Sequence, residues 1–429
     1  MTFLERYETL LGKLPGDSAL RAAASDAFRS AGLPGATRGR PSEAWKYTSL
    51  RSLAETRFRS GEPKHEAETI LARLPLLDVP RLVFVDGEFS DRLSVHTAND
   101  GDGTAKSAEA PLSSPGSLKI ARFADQPDFG TLTWPDREPM VALNTMLAED
   151  GVSLHIPANH DCGTIQLISV ATTDADLHPR HTIRLDAGAK LTLIEMSAGE
   201  GVYFLNTVAE IHVADGAHLT HIRLQDESLT AFHISTTYAE VAATATYDSF
   251  TLNIGSRLCR TEVHANLAGE HATAHLNAVQ LLMGAQHADF TSVVGHLAPH
   301  GTSRQTVKNV LSGRSRGVFQ GRIEVARAAQ KTDGYQMNQA LLLSPDAEID
   351  SKPELEIFAD DVKCSHGATV GELDAEQIFY LRSRGVPDAE ARSILVRAFL
   401  SEALDAVTDE AVRGSLERAV ESWWQRNKA

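Results

Sequence analysis

The segment Gly188-Ala189-Lys190-Leu191-Thr192 recurs as Gly216-Ala217-His218-Leu219-Thr220, 28 residues further along the chain. Fainter copies follow at residues 242–246 and 269–273. The segments between these copies are short, rich in Val, Ile, Leu and Thr, and alternate apolar with polar residues, as strands do. A period of about 27 residues with two strands per repeat predicts a β-solenoid, whose coils stack around a continuous core. An antiparallel sandwich is the main structural alternative.

The strand pattern divides the chain into four predicted regions. We place the β-helix core at residues 151–371 and an N-terminal helical domain at residues 1–78. Residues 79–150 form a connecting segment with strands and a flexible loop, and residues 372–429 form a C-terminal helical domain. The predicted fold class is therefore mainly β, a solenoid core flanked by helical domains.

Several local signals refine the N-terminal half. Thr2-Phe3-Leu4-Glu5 has the pattern of a capping box, and a second helix is predicted over Ser18–Ala31. Residues 43–50 are aromatic and mixed in charge, which is typical of a packing motif. A strand is expected over Arg81–Val85. Residues 99–116 are rich in Gly, Ser, Asp and Ala and are expected to form a flexible loop.

The C-terminal residues predict three helices. Asp374 caps the first, Pro387-Asp388 opens the second, and Thr408 begins the third. The second carries an apolar stripe formed by Ile394, Leu395, Ala398, Phe399 and Val407. Such a tail either covers the end of the solenoid, which must be shielded from water, or offers its stripe to a partner.

Composition restricts the range of functions. The chain has 41 basic and 57 acidic residues among 429, a net charge of −16, which argues against broad binding to nucleic acid or anionic lipid. No apolar run approaches the ~20 residues that span a bilayer, and the first eleven residues are too charged for a signal peptide. We expect a soluble cytoplasmic protein. Its three cysteines form no C-x-x-C, so neither a disulfide framework nor a complete one-chain zinc or iron–sulfur site is indicated.

The main candidate site is the pair Cys364 and His366 in Lys363-Cys364-Ser365-His366-Gly367-Ala368-Thr369. In an extended segment these side chains leave one face, about 6 to 7 Å apart. Thiolate and imidazole suit iron, zinc and iron–sulfur clusters, but two ligands do not close a site. Either further ligands come from elsewhere, including another chain, or the pair is a buried cysteine beside a hydrogen-bonded histidine.

Histidines are concentrated in the strand region, where 14 of the 17 fall between His155 and His300. They are scattered among the strands, and no H-x-x-x-H lies on a recognisable helix. His271 and His275 are expected on one face of a strand. We interpret these imidazoles as surface or structural residues.

A group of segments in the second half of the chain resembles the SufB/SufD family, which assembles iron–sulfur clusters. The segments are Arg316-Gly317-Val318-Phe319-Gln320-Gly321-Arg322-Ile323, Ala329-Gln330-Lys331-Thr332, Gln336-Met337-Asn338, Lys352-Pro353-Glu354-Leu355-Glu356-Ile357 and Cys364-Ser365-His366-Gly367-Ala368-Thr369. The last of these and the short length are similar to the SufD members, whereas SufB members typically have Glu-His-Glu-Ala-Thr there.

The resemblance implies a right-handed parallel β-helix, a SufB-like partner and a SufC-like ABC ATPase docked on the C-terminal helices. It implies that His366, and less securely Cys364, takes part in a transient iron–sulfur cluster shared with that partner, and that Leu395 and Phe399 serve the ATPase interface. The resemblance implies a non-catalytic scaffold. The chain has no Walker A motif, so a partner would have to hydrolyse ATP. Some family complexes bind reduced flavin, but no motif identifies a flavin pocket here. Homodimerisation of the isolated chain is left open.

Two alternatives compete with this interpretation. Parallel β-helices also occur in carbohydrate-active enzymes, which need clustered carboxylates or a calcium site; no such cluster is evident among the predicted strands. The chain could instead be a SufB-like subunit that holds more of the cluster. The cysteine content argues against this, because only Cys259 and Cys364 lie within the predicted core or at its end.

Overall fold

Two long, mainly parallel sheets form the core of the protein. The computed structural model describes residues 2–36, 43–58, 62–95 and 118–426; the loop predicted at residues 99–116 lies outside them. Successive strands alternate between the sheets, which is the topology of a β-solenoid. All the solenoid pairings are parallel, so the antiparallel sandwich is excluded and the β-solenoid prediction is confirmed.

The strands and helices are numbered in chain order. The first sheet, sheet A, contains β1 (Arg81–Val85), β2 (Glu88–Phe89), β5 (Asp161–Ala171), β8 (Lys190–Gly199), β10 (His218–Asp226), β12 (Thr246–Asn253), β14 (Thr273–Leu282), β16 (Thr302–Leu311), β18 (Asp333–Leu342) and β20 (Lys363–Gly371). The second sheet, sheet B, contains β3 (Lys119–Arg122), β4 (Gly151–Ile156), β6 (Asp176–Leu177), β7 (Arg180–Leu185), β9 (Phe204–Val213), β11 (Phe232–Val241), β13 (Leu258–Leu267), β15 (His287–His296), β17 (Arg316–Val325) and β19 (Glu348–Ile357). The α-helices are α1 (Phe3–Leu10), α2 (Ser18–Ala31), α3 (Arg51–Glu55), α4 (Ala67–Leu71), α5 (Pro139–Leu147), α6 (Ala375–Ser383), α7 (Asp388–Leu404) and α8 (Glu410–Arg426).

Equivalent positions of the sequence repeat pair with each other in neighbouring strands of the solenoid. Lys190 pairs with His218, and His218 pairs with Thr246, so the repeated segments lie side by side in sheet A. Seven strands of sheet A, β5, β8, β10, β12, β14, β16 and β18, follow the same kind of turn. Two residues before each of them the backbone is left-handed, with φ between 56° and 69°. The residues at this turn position are Asn159, Gly188, Gly216, Thr244, His271, His300 and Lys331.

Alternation along each strand separates an inner core from outer faces. In β14, Ala274, Leu276 and Ala278 point into the solenoid core. Val279 and Leu281 of the same strand belong to a different cluster on the outer face of sheet A. Sheet A therefore has an apolar inner face in the solenoid core and, for part of its length, an apolar outer face that other elements cover.

The N-terminal elements cover the outer face of sheet B and extend both sheets. The capping box of α1 and the bounds predicted for α2 are confirmed. Strand β1 forms over the predicted residues and pairs with β5, while β3 pairs with β4. Trp45 is buried, and the ring lies 4.2 Å from the Arg260 guanidinium, so residues 43–50 include a packing contact.

The C-terminal helices differ from the sequence expectation. They lie along the side of sheet A, where Val396 and Leu400 of α7 join the cluster that contains Val279, Leu281 and Val310. The idea that the tail covers the end of the solenoid is therefore wrong. Helix α8 also starts later than predicted, because Asp409 accepts hydrogen bonds from the N–H groups of Ala411 and Val412. Among the described helices, none has the length and apolar character needed to cross a membrane.

Candidate functional site

The last coil forms one end of the solenoid, and no other described strand pairs with it there. Among the described strands, β20 pairs only with β18, and β19 pairs only with β17. Cys364 lies opposite Gly334, and His366 lies opposite Gln336. Both predicted site residues are thus on one strand, two residues apart, where alternation places them on the same face.

Cys364 is the more enclosed of the two residues. It packs against the cluster containing Ile323 and Ala359. A Cβ added at Gly334 would lie 3.4 Å from the Cys364 Sγ, so the glycine leaves room for the thiol. Burial raises the pKa of the Cys364 thiol above its usual value, and Asp333 adds to this effect. The thiol is therefore not activated as a nucleophile in the isolated chain.

His366 is exposed at the end of the solenoid. The next residue, Gly367, allows a close contact: a Cβ there would approach the Met337 Cε to 2.7 Å. Beside the strand lies an open groove of ≈ 500 Å³, lined by Arg304, Asp333, Tyr335, Lys363, Cys364 and Ser365. This end of the molecule can therefore admit a small group or a partner side chain.

Polar side chains fill the interior behind this end. The Asn309 side chain donates to the Asn338 Oδ1 at 2.7 Å, and Asn338 donates to the Ser351 Oγ at 3.1 Å. Gln336, directly beside His366, is fully buried and donates to the Glu354 carbonyl oxygen. These amide hydrogen bonds fix β18, the strand beside β20 in sheet A.

Apolar side chains surround the same end. Phe358 is 66% exposed and Val370 is 54% exposed. Exposed aromatic residues continue on α6, where Phe379 is 74% exposed beside Tyr380. Grouped exposed apolar residues of this kind mark interaction surfaces.

The structure separates the two residues predicted for the ATPase interface. Leu395 lines a groove between α6 and α7, together with Tyr380, Leu381 and Ile394. Phe399 packs against the sheet A cluster, and the Lys308 ammonium lies 4.6 Å from its ring centre. The predicted stripe is therefore split between a surface groove and a packed contact.

The histidines have two kinds of environment. His221 is buried, and its Nε2 lies 3.1 Å from a Glu195 carboxylate oxygen. Burial lowers the pKa of His221, so this imidazole is a structural residue of the interior. His271 lies in a turn and stacks on His300 at 4.7 Å, so the expectation that it shares a strand face with His275 is wrong.

Sequence reasoning missed a charged cluster on the outer face of sheet B. Arg260 is fully buried and donates to Glu262 and Asp289. Glu138 lies near Glu262; burial and the neighbouring Glu262 charge raise the pKa of Glu138 to about 7. The available signal was the alternation of Arg260, Glu262 and His264 in β13, which places three polar side chains on one face of a strand.

Comparison with known proteins assigns this arrangement to a family. The model of the SUF system FeS cluster assembly SufBD core domain matches residues 168–399, and that of the SufBD protein N-terminal region matches residues 15–167. These matches cover the solenoid, its candidate end strand and the N-terminal elements from α2 onwards. The fold and site thus define a β-solenoid protein of iron–sulfur cluster assembly. The chain belongs to the SufBD family.

The relatives agree with this assignment. Escherichia coli iron–sulfur cluster assembly protein SufD is 35% identical over 380 residues, covering 87% of this chain and 86% of the relative. A SufBD family protein of Synechocystis is 32% identical, covering 93% and 89%. The chloroplastic protein ABCI7 of Arabidopsis thaliana is 28% identical, covering 87% and 80%. The resemblance found in the sequence motifs is therefore confirmed over most of the chain.

Proposed function

We propose that this chain is a SufD-type scaffold subunit of an iron–sulfur cluster assembly complex. Its last coil pairs with a SufB-like subunit, and a nascent cluster forms at that interface with His366 of this chain. A SufC-like ABC ATPase docks on the C-terminal helices. The observation that supports this best is the last coil, where three features occur together: the family motif, two strand edges that pair with no other strand in the described ranges, and exposed apolar side chains.

Unpaired edges explain why a partner is expected at this end. A strand edge presents free N–H and C=O groups, which recruit another strand unless they are covered. Both β19 and β20 offer such an edge at the end of a long parallel stack. A second solenoid of the same family can extend both sheets, and the exposed Phe358 and Val370 would be buried in that contact.

An incomplete ligand set suits a cluster that is handed on. His366 is exposed and can reach a partner, while Cys364 is half-buried. Because its pKa is raised by burial, Cys364 would have to lose a proton before binding iron. We therefore assign His366 the main role and Cys364 a secondary one, with sulfur-bearing cysteines supplied by the SufB-like partner. No residue of this chain is assigned to reduced flavin.

The C-terminal helices provide the second interface. Phe379 and Tyr380 of α6 are exposed beside the groove that Leu395 lines. Phe399 anchors α7 to sheet A and so positions that groove. The ATPase would bind α6 and the groove, and its ATP-driven motion would open the cluster interface. The sequence contains no Walker A motif, so the ATPase partner would hydrolyse the ATP and this chain would act as the scaffold.

Copurification with the two partners tests the proposal. Val370→Asp places a charge at the proposed strand interface and should abolish capture of the SufB-like subunit. Phe379→Asp should abolish capture of the ATPase alone. Leu229→Asp is the matched control, because Leu229 has the same 54% exposure as Val370 but lies in a distant turn. Equal capture by all three variants would contradict the two proposed interfaces.

A SufB-like role is the second candidate function. It would require this chain to accept sulfur on its own cysteines. Cys259 is fully buried, and burial raises the pKa of its thiol, which disfavours such a role. Sulfur transfer to the isolated chain, measured by persulfide labelling, would favour the SufB-like alternative.

A further inference from the structure

Glu138, Glu262 and His264, whose side chains are of the types that bind metal ions, lie together on the outer face of sheet B, far along the chain from the last-coil motif. Glu262 and His264 are neighbours on one face of β13, and Glu138 precedes α5 where that helix packs over the sheet. Each residue offers one ligand atom, and the three atoms lie within 4.8 Å of one another. The spacing matches a single ion, because metal–ligand distances of about 2.0 to 2.2 Å bring ligand atoms within about 4.4 Å of each other after small side-chain shifts.

The surroundings hold two of the three ligands in place. Arg260 donates to the Glu262 Oε2 at 2.9 Å, which leaves the Oε1 directed to the His264 Nε2, also at 2.9 Å. The Tyr238 ring stacks flat on the His264 imidazole, with centres 4.3 Å apart and planes 3° apart. Carboxylate and imidazole are therefore fixed by neighbours before any ion arrives, as in preorganised metal sites.

The charges of the group leave room for a cation. Arg260 is shared by two carboxylates, those of Glu262 and Asp289. The Glu138 side chain makes no hydrogen bond or ion pair with another side chain in the described parts of the chain. Glu138 is the N-cap residue of α5, but its carboxyl group makes no capping hydrogen bond. When it is ionised, the Glu138 carboxylate is a third negative charge beside a single buried guanidinium. A divalent ion bound between Glu138, Glu262 and His264 would offset that excess.

We propose that Glu138, Glu262 and His264 form a binding site for one first-row divalent transition metal ion. Two carboxylates and one imidazole suit zinc, manganese or ferrous ions, whereas calcium prefers six to eight oxygen ligands. Three protein ligands leave positions open for water, which permits exchange. Glu138 and His264 are partly exposed, so an ion can enter from solvent. The site does not depend on the proposed role of the last coil.

Metal binding by the full chain tests the site. The parent for the measurement is the Cys364→Ala, His366→Ala double variant, which removes the other thiol–imidazole pair. After chelator treatment it is dialysed against Zn²⁺, Mn²⁺ or Ca²⁺, and bound metal is counted by mass spectrometry. Glu138→Gln and His264→Gln each remove one ligand with little change in size. His275→Gln is the matched control, because His275 contacts Asp248 at 2.6 Å on sheet A.

We expect the parent to bind one Zn²⁺ or Mn²⁺ ion per chain and to bind Ca²⁺ far more weakly. Glu138→Gln and His264→Gln should each weaken binding by at least ~10-fold, and His275→Gln should not. Circular dichroism establishes whether each variant is folded. If one of the two ligand variants misfolds, the other one tests the site. Binding that survives both substitutions, preference for Ca²⁺, or absence of any bound ion in the parent would overturn the proposal.

Discussion

Acidification should destabilise the solenoid through His296, a buried histidine at the end of β15. The side chain is fully buried, and its Nε2 lies 2.9 Å from the Ser303 Oγ. The Nδ1 has no hydrogen-bond partner in the described residues. Burial lowers the pKa of His296 to about 4, although the nearby Asp333 charge opposes this effect.

The magnitude follows from the difference in proton affinity between folded and unfolded chains. An unfolded histidine has a pKa near 6.5, so the unfolded chain binds the extra proton first as the pH falls. The free energy of unfolding is therefore unaffected by His296 above about pH 6.5. It decreases as the pH falls towards about 4, the pKa of His296 in the folded chain. At about 1.4 kcal/mol for each tenfold difference in affinity, His296 alone accounts for a loss of about 3 kcal/mol.

Urea unfolding of the wild type and of His296→Gln at pH 7 and pH 4.5 measures this loss. The glutamine keeps a polar partner for Ser303 but cannot take up the proton. The stability gap between the two proteins should shrink by about 2 to 3 kcal/mol at the lower pH. Buried histidines such as His178 and His221 act in both proteins alike and cancel in the comparison. An unchanged gap would refute the reasoning.

Four further substitutions test the fold. Leu276→Ala in the inner core should cost about 2 to 5 kcal/mol by urea unfolding, and a cost below 1 kcal/mol would contradict the packing. Thr244 and Gly216 both occupy the left-handed turn position, which favours glycine. Thr244→Gly should therefore stabilise the protein and Gly216→Ala should destabilise it, each by about 1 kcal/mol in thermal unfolding. The opposite signs would contradict the assigned turn. Phe399 is partly buried, so Phe399→Ala should lower the stability of the C-terminal helices by about 1 to 3 kcal/mol, measured by limited proteolysis. Unchanged resistance to the protease would mean that the contact of Phe399 with sheet A is unimportant.

The repeat made the solenoid predictable from sequence. Copies of Gly188-Ala189-Lys190-Leu191-Thr192 align because strand pairing in stacked coils places equivalent residues side by side. The same-face geometry of Cys364 and His366 followed from strand alternation alone. The ligand role of this pair stays a prediction, because it depends on a partner chain rather than on this sequence.

Other features depend on packing between distant segments. The outer apolar face of sheet A, formed by Val279, Leu281 and Val310, explains why the C-terminal helices lie along the side of the solenoid. In the sequence these residues cannot be told from inner core residues. Likewise, Glu138 is separated from Glu262 by more than a hundred residues, and only the folded chain brings them together.

Cluster formation in the assembled complex tests the central proposal most directly. The chain would be coexpressed with the SufB-like subunit and the ABC ATPase, and iron–sulfur absorbance measured after anaerobic reconstitution. His366→Ala should leave the complex assembled but strongly reduce the absorbance, and Cys364→Ala should have an equal or smaller effect. A normal cluster yield in an intact His366→Ala complex would contradict the assignment of His366 to the nascent cluster site.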